Sequence, residues 1–191
     1  MPWSKPFVFL LCLTPFGLLV WGAVNNDLGA DPTNEITHQT GTWALRFLLA
    51  SLAMTPLRKL LGSAWPIRFR RMLGLFAFFY ATMHLATYVF VDLGLYWPQV
   101  LEDVVKRPFI TVGFAAWLIL LALAVTSTRG MQRRLGRQWA RLHKLVYLAI
   151  GLVILHFLWL VKADLREPLI YAAVALVLLA FRVKPLKMLR H

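Results

Sequence analysis

Six apolar runs, set apart by polar, charged and proline-bearing stretches, divide the chain: Phe7–Val24, Gly41–Pro56, Met72–Val91, Phe109–Ser127, Leu145–Val161 and Leu169–Phe181. Most approach the ~20 residues that an α-helix needs to cross a hydrocarbon core ~30 Å thick. The second and last are short and are expected to extend into their flanks. The pattern predicts an all-α, polytopic membrane protein, a bundle of six transmembrane helices forming a single domain over residues 1–191. About seventy residues remain for loops and tails, too few for a second globular domain.

The connecting segments add detail. Asn25–Thr40 reads as a polar loop carrying Asp27, Asp31, Pro32, Asn34 and Glu35, with His38 at its end. The second helix is expected to stop at Pro56, and Trp65-Pro66 to break any helix in the Arg58–Arg71 loop. Asp92–Pro108 contains Tyr96-Trp97-Pro98, aromatics suited to a membrane interface, and a possible short surface helix over Val100–Val105. In Met131–His143, Leu135, Trp139 and Leu142 recur at spacings of four and three among basic residues, the pattern of an amphipathic helix lying along a membrane surface. Neither an internal repeat nor a low-complexity tract stands out.

Composition supports a membrane solvent. The chain of 191 residues is 60% hydrophobic and only 15% charged, against about 25% charged residues in soluble domains. A net charge of +13 would suit nucleic acid, but its placement argues otherwise. With the N-terminus in the cytoplasm, sixteen of the 21 basic residues fall on inside segments, namely Lys5, the Arg58–Arg71 loop, the Arg129–Lys144 segment and a tail with Arg182, Lys184, Lys187 and Arg190. Only Lys106, Arg107, Lys162 and Arg166 fall outside, and all eight acidic residues lie in or at the ends of outside loops. The Lys/Arg bias predicts N-in and C-in. The basic loops are read as held against anionic lipid headgroups, not nucleic acid. Pro15 and a poor cleavage site at Trp21-Gly22-Ala23 favour an uncleaved first helix over a signal peptide. Cys12, the only cysteine, excludes an intramolecular disulfide and is assigned to packing.

Three histidines then change the picture: His84, His143 and His156 sit in otherwise apolar segments. An ionisable residue inside a span is costly and functional by default, and imidazole is a common axial ligand of haem iron. His84 lies twelve residues into the third helix and His156 eleven into the fifth, and both helices run from inside to outside. The two rings are therefore at matched depth, toward the outer face, as axial ligands (iron ligands) of one haem b require. Gly151 and Gly74 are candidates for close haem approach. His143 lies thirteen positions before His156, ~20 Å away along a helix, but the partner it would need on the third helix is replaced by Arg70 and Arg71. The outer site is complete and the inner one half-complete. The two histidines on one helix fall about 140° apart, and share a face only if the helix is distorted or His143 precedes its regular turns. Packing or interfacial histidines are the plain alternative readings. Arg46, a lone cation within a span, is either a partner for a haem propionate or a snorkelling side chain. His38 is either a solvated loop histidine or part of a quinone pocket or partner interface. With no G-x-G-x-x-G motif, P-loop or flavin-reductase-like domain, such a chain must receive its electrons from something else.

The stretches Arg71–His84, Trp139–Tyr147 running on to His156, Thr37–Leu45 and Thr55–Arg58 resemble the ferric-reductase-like transmembrane domain of NADPH oxidases and metalloreductases. Nearly the full length is similar to the MsrQ (YedZ) family of bacterial haem-binding membrane subunits. That resemblance implies an inner-membrane protein with haem b and FMN. It would take electrons from the quinone pool or a cytosolic flavin reductase and pass them to a periplasmic molybdopterin-containing, MsrP-like reductase that repairs oxidised methionines. Larger relatives have four histidines in two pairs where this chain has three. On this reading the chain is an electron-transfer subunit without substrate chemistry of its own, and the acceptor docks on the outside loops with Asp31, Glu35, Glu102 and Asp103 as contacts. The alternatives are a stand-alone ferric or quinone reductase, and a non-redox transporter or assembly factor whose histidines bind a metal or relay protons.

Overall fold

The computed structural model describes residues 4–161 and 163–181. Lys162 and the basic tail Arg182, Lys184, Lys187 and Arg190 lie outside the described residues. Every regular element among the described residues is helical. Helix α1 is Ser4–Val24, α2 Pro32–Leu60, α3 Arg70–Ala86, α4 Trp97–Lys106, α5 Pro108–Val125, α6 Arg129–Leu135, α7 Arg137–Leu142, α8 Val146–Leu160 and α9 Arg166–Ala180. Four helical stretches are long and apolar enough to cross a membrane: Ser4–Val24, Arg70–Asp92, Pro108–Val125 and Arg137–Leu160. The other two runs of the sequence lie on α2, whose first turns are polar, and on α9, which is 15 residues long.

Helix α2 begins at Pro32, not after Thr40, so the loop that follows α1 is shorter than its polarity suggested. Asp31 accepts the Asn34 backbone N–H at 3.1 Å, and Pro32 occupies the first turn, where its missing donor costs nothing. His38 consequently belongs to a helix. The same helix runs through Pro56 and ends at Leu60. The surface helix anticipated after Pro98 is α4. The basic amphipathic segment is broken in two at Gly136, whose φ of 51° and ψ of −121° no helix accommodates.

Helix α1 is tied to α3 through Tyr80. Pro15 cannot donate a helical hydrogen bond, and the chain is opened there. The buried Tyr80 hydroxyl accepts the Phe16 N–H at 3.0 Å and donates to the Cys12 carbonyl at 2.9 Å. It takes the place of the bond that would have closed that turn. Cys12 is buried in the core, in keeping with a packing role.

The most extensive packing is between α2 and α3, followed by α5 with α8. The two helix pairs repeat one another. Gly41, Leu48, Ala77 and His84 recur as Gly113, Leu120, Ala149 and His156, each 72 positions on. Ala77 and Ala149 are both fully buried, and Leu48 and Leu120 nearly so. The fold therefore contains an internal repeat that the linear sequence hides, because the shared positions are few and are set by helix contacts. The remaining pair contacts, α3 with α5 and α2 with α8, close the four helices into a ring.

Candidate functional site

His84 and His156 face each other inside this ring. Their ring centroids are 6.1 Å apart and their planes are inclined at 85°. Each imidazole is anchored in the same way. His84 Nδ1 lies 2.8 Å from the Thr37 carbonyl of α2, and His156 Nδ1 lies 2.7 Å from the Phe109 carbonyl of α5. Opposite a carbonyl only an N–H can satisfy the contact, so both rings carry the proton on Nδ1 and leave Nε2 as a lone-pair donor. Backbone carbonyls hold metal-binding histidines in this manner. With metal–imidazole bonds of ~2 Å and ring centres roughly 1.1 Å beyond each nitrogen, two trans imidazoles on one metal lie ~6 Å apart centre to centre. The separation in this fold fits a bis-imidazole haem iron. No group of three or more His, Cys, Asp or Glu side chains that could hold a bare metal ion occurs among the described residues.

Two glycines make this approach possible. A Cβ on Gly41 would stand 3.0 Å from His84 Nδ1, and one on Gly113 would stand 2.7 Å from His156 Nδ1. Neither Gly41 nor Gly113 was singled out from sequence for this purpose. Gly151 and Gly74 were, but nothing lies within 4 Å of a Cβ on Gly151, and a Cβ on Gly74 would meet only Ser51 Oγ at 3.4 Å. The signal that could have found them is their identical offset from the two histidines, 43 positions in each case.

His143 stands apart from this pair. It opens a 3-10 turn, His143–Leu145, ahead of α8, so it precedes the regular turns and the 140° offset of a straight helix does not apply. Its ring stacks on Trp139 at 4.0 Å, Nδ1 lies 3.2 Å from the Trp139 carbonyl, and Nε2 is buried without a hydrogen-bond partner. His143 lines a cavity of about 400 Å³ together with Ser51, Arg70, Arg71, Gly74 and Lys144. By the 72-residue repeat, Arg71 occupies the position equivalent to His143.

Arg46 and His38 are on the side of α2 that meets α8 and α9. Arg46 Nε donates to Tyr171 Oη at 2.8 Å, and its guanidinium lies over Trp43 at 4.8 Å. His38 is half-exposed, 3.9 Å from Glu167, and its ring and that of Phe157 are steeply inclined with centroids 6.4 Å apart.

At the N-terminal end of α2, a polar pocket of about 210 Å³ is lined by Asp31, Thr33, Asn34, Thr37, Tyr88 and Asp92. Thr37 also supplies the carbonyl that holds His84. Of the four acidic residues proposed to contact a partner, Asp103 is excluded by burial: it is 3% exposed and receives hydrogen bonds from Tyr88 Oη and, at 2.8 Å, Gln99 Nε2, with Arg107 Nε at 3.1 Å. The Tyr88 bond, with help from Gln99 and Arg107, holds its carboxyl below the usual carboxylate range against the opposing effect of burial. Glu102 is ion-paired with Lys106, Glu35 accepts from Gln39, and Asp31 caps α2.

Two carbonyl-anchored imidazoles face to face inside a four-helix ring form an arrangement of the kind that could hold a metal porphyrin in a membrane. Comparison with known proteins agrees with this. Residues 40–166 match the family described as ferric reductase like transmembrane component. The chain is 56% identical to the protein-methionine-sulfoxide reductase heme-binding subunit MsrQ of Xanthomonas euvesicatoria pv. vesicatoria, over 94% of this chain and 85% of that one. The same identity and coverage hold for the MsrQ of Xanthomonas axonopodis pv. citri. The MsrQ of Rhodospirillum rubrum is 54% identical over 93% of this chain and 86% of its own. The chain belongs to the MsrQ family of ferric-reductase-like transmembrane proteins. No solved structure matches it.

Proposed function

We propose that this chain is the membrane electron-transfer subunit of a protein-methionine-sulfoxide reductase system, holding haem b between His84 and His156. The observation that carries the reading is the facing pair of imidazoles, each with Nδ1 committed to a backbone carbonyl. When bound there, haem supplies a one-electron couple. The chain orients both Nε2 atoms, and the apolar ring of helices keeps water from the centre. The charge bias supports six spans with both termini in the cytoplasm of a bacterial inner membrane, which sets the pair toward the periplasmic face.

Electrons are proposed to arrive from the quinone pool or a cytosolic flavin reductase. They leave to a periplasmic molybdopterin-containing reductase subunit, which performs the chemistry on oxidised methionine. The polar outer pocket over Thr37 suits the exit side. The inner cavity suits a second redox cofactor, haem or the FMN expected of the family. His143 would lie beside its ring system, and Arg70, Arg71 and Lys144 would meet its propionate or phosphate groups. Arg46 is bound to Tyr171, and a propionate role would need it to exchange that partner.

The test is directional. In oriented nanodiscs, haem reduced from the cytoplasmic side or by a quinol should be reoxidised by the periplasmic reductase subunit added to the opposite face. Membrane-impermeant maleimide should label Glu102→Cys in intact spheroplasts and Arg134→Cys only after permeabilisation. Reoxidation from the cytoplasmic face alone, or the inverse labelling pattern, would overturn the proposed path.

A further inference from the structure

We infer that Gly41 and Gly113 are paired positioning residues that set the electronic state of the redox centre by keeping two backbone carbonyls open to the axial imidazoles. The inference rests on the reading of His84 and His156 as haem ligands. Each glycine lies four residues after the carbonyl that its histidine uses, Gly41 after Thr37 and Gly113 after Phe109. That spacing has a cause. Side chains on a helix tilt toward its N-terminus, so the residue at i+4 overhangs the carbonyl at i. Only a residue without Cβ leaves that carbonyl accessible to a ring arriving from another helix. The device occurs once in each half of the repeat, with the same 47-residue separation from carbonyl to histidine.

The bond it protects acts on the metal through the ring. Donation from Nδ1–H to a carbonyl makes Nε2 more basic, which favours ferric over ferrous iron. An alanine at either glycine pushes the ring off its carbonyl, and that donation weakens. The midpoint potential should then rise and the low-spin signature should shift, effects that a loss of packing alone does not produce in this direction. The second half is the tighter. The added Cβ would approach His156 Nδ1 and Cε1 at 2.7 and 2.9 Å, against 3.0 and 3.2 Å for His84.

The experiment uses the full-length haem-loaded protein in detergent. Potentiometric titration, low-temperature EPR and the rate of haem loss to an apo-globin acceptor are compared among Gly41→Ala, Gly113→Ala and Gly151→Ala. Gly151 has open space at its Cβ and serves as the control. Gly113→Ala should raise the midpoint potential, move the low-spin g values and weaken haem retention about 10- to 100-fold, the range for loss of a hydrogen-bond partner of a metal-binding histidine. Gly41→Ala should act in the same direction to a smaller extent, and it decides the matter if Gly113→Ala does not fold. Glycine variants indistinguishable from Gly151→Ala would overturn the inference. If His84→Ala and His156→Ala abolish the low-spin haem while the glycine variants change nothing, this inference alone fails. If those histidine variants keep it, the ligand assignment beneath it fails.

Discussion

Replacing His143 with leucine should leave the cofactor-free protein at least as stable as the wild type while removing the inner cavity's capacity to bind. The buried Nε2 makes no hydrogen bond of ordinary geometry, although the Leu123 carbonyl also acts on this imidazole, and an unsatisfied buried polar atom costs up to about 1–3 kcal/mol. Leucine removes that cost. It also removes the Nδ1 contact with the Trp139 carbonyl, which at 3.2 Å contributes about 0.5–1.5 kcal/mol. Leucine keeps an apolar body against Trp139, so no large void opens. The net effect on the apo-protein is a stabilisation of about 1 kcal/mol. The assay is unfolding by SDS titration in mixed micelles, run on apo and cofactor-loaded protein, wild type and variant. Loading should stabilise the wild type more than the variant, and the outer haem spectrum should persist in both. The reasoning is refuted if His143→Leu destabilises the apo-protein by more than about 1 kcal/mol while the gain on loading is unchanged. His143 would then be a packing residue.

Two other perturbations test the surrounding fold. Tyr80→Phe removes a hydroxyl that makes two buried hydrogen bonds to α1; the Phe16 and Cys12 groups can recover one bond with each other, so the loss should be about 1–3 kcal/mol with an unaltered haem spectrum, and an unfolding free energy equal to the wild type would contradict the clamp. The depressed carboxyl of Asp103 stabilises the α4 segment above its unfolded value of ~3.9, and that contribution disappears as the pH falls through the lower folded value; Asp103→Asn should therefore lower stability at pH 7 and flatten its decline below about pH 4, and parallel pH profiles for the two proteins would show that the Tyr88–Asp103–Arg107 network carries no such linkage.

The pairing of His84 with His156 was readable from the sequence because depth in a membrane is counted simply along a helix. Twelve and eleven residues from the same face bring two rings to one level, and they do meet. What surrounds them was not readable. The carbonyls of Thr37 and Phe109 have no side-chain signature, and the glycines that expose them sit on helices other than those of the histidines. The candidates chosen from sequence, Gly74 and Gly151, share a helix with a histidine, and a helix does not pack against its own side chains in that way. The repeat was missed for a related reason: a few buried positions are shared, and the lipid-facing ones vary freely. Asp31-Pro32 signals a helix start, yet the polarity of the following residues suggested a loop, because the first turns of α2 face polar surroundings. Asp103 looked like a surface charge. Its burial depends on Tyr88, brought to it by the π-helical turn Thr87–Asp92, a feature that periodicity does not reveal.

The central claim is that His84 and His156 together hold one low-spin haem. Haem per polypeptide and the low-spin EPR signal, measured on His84→Ala, His156→Ala and the double variant in the same preparation, test it most directly. Each single variant should lose the low-spin signal, and the double variant should lose little more, because two axial ligands act as a unit. Full retention of the low-spin signal in either single variant would contradict the assignment.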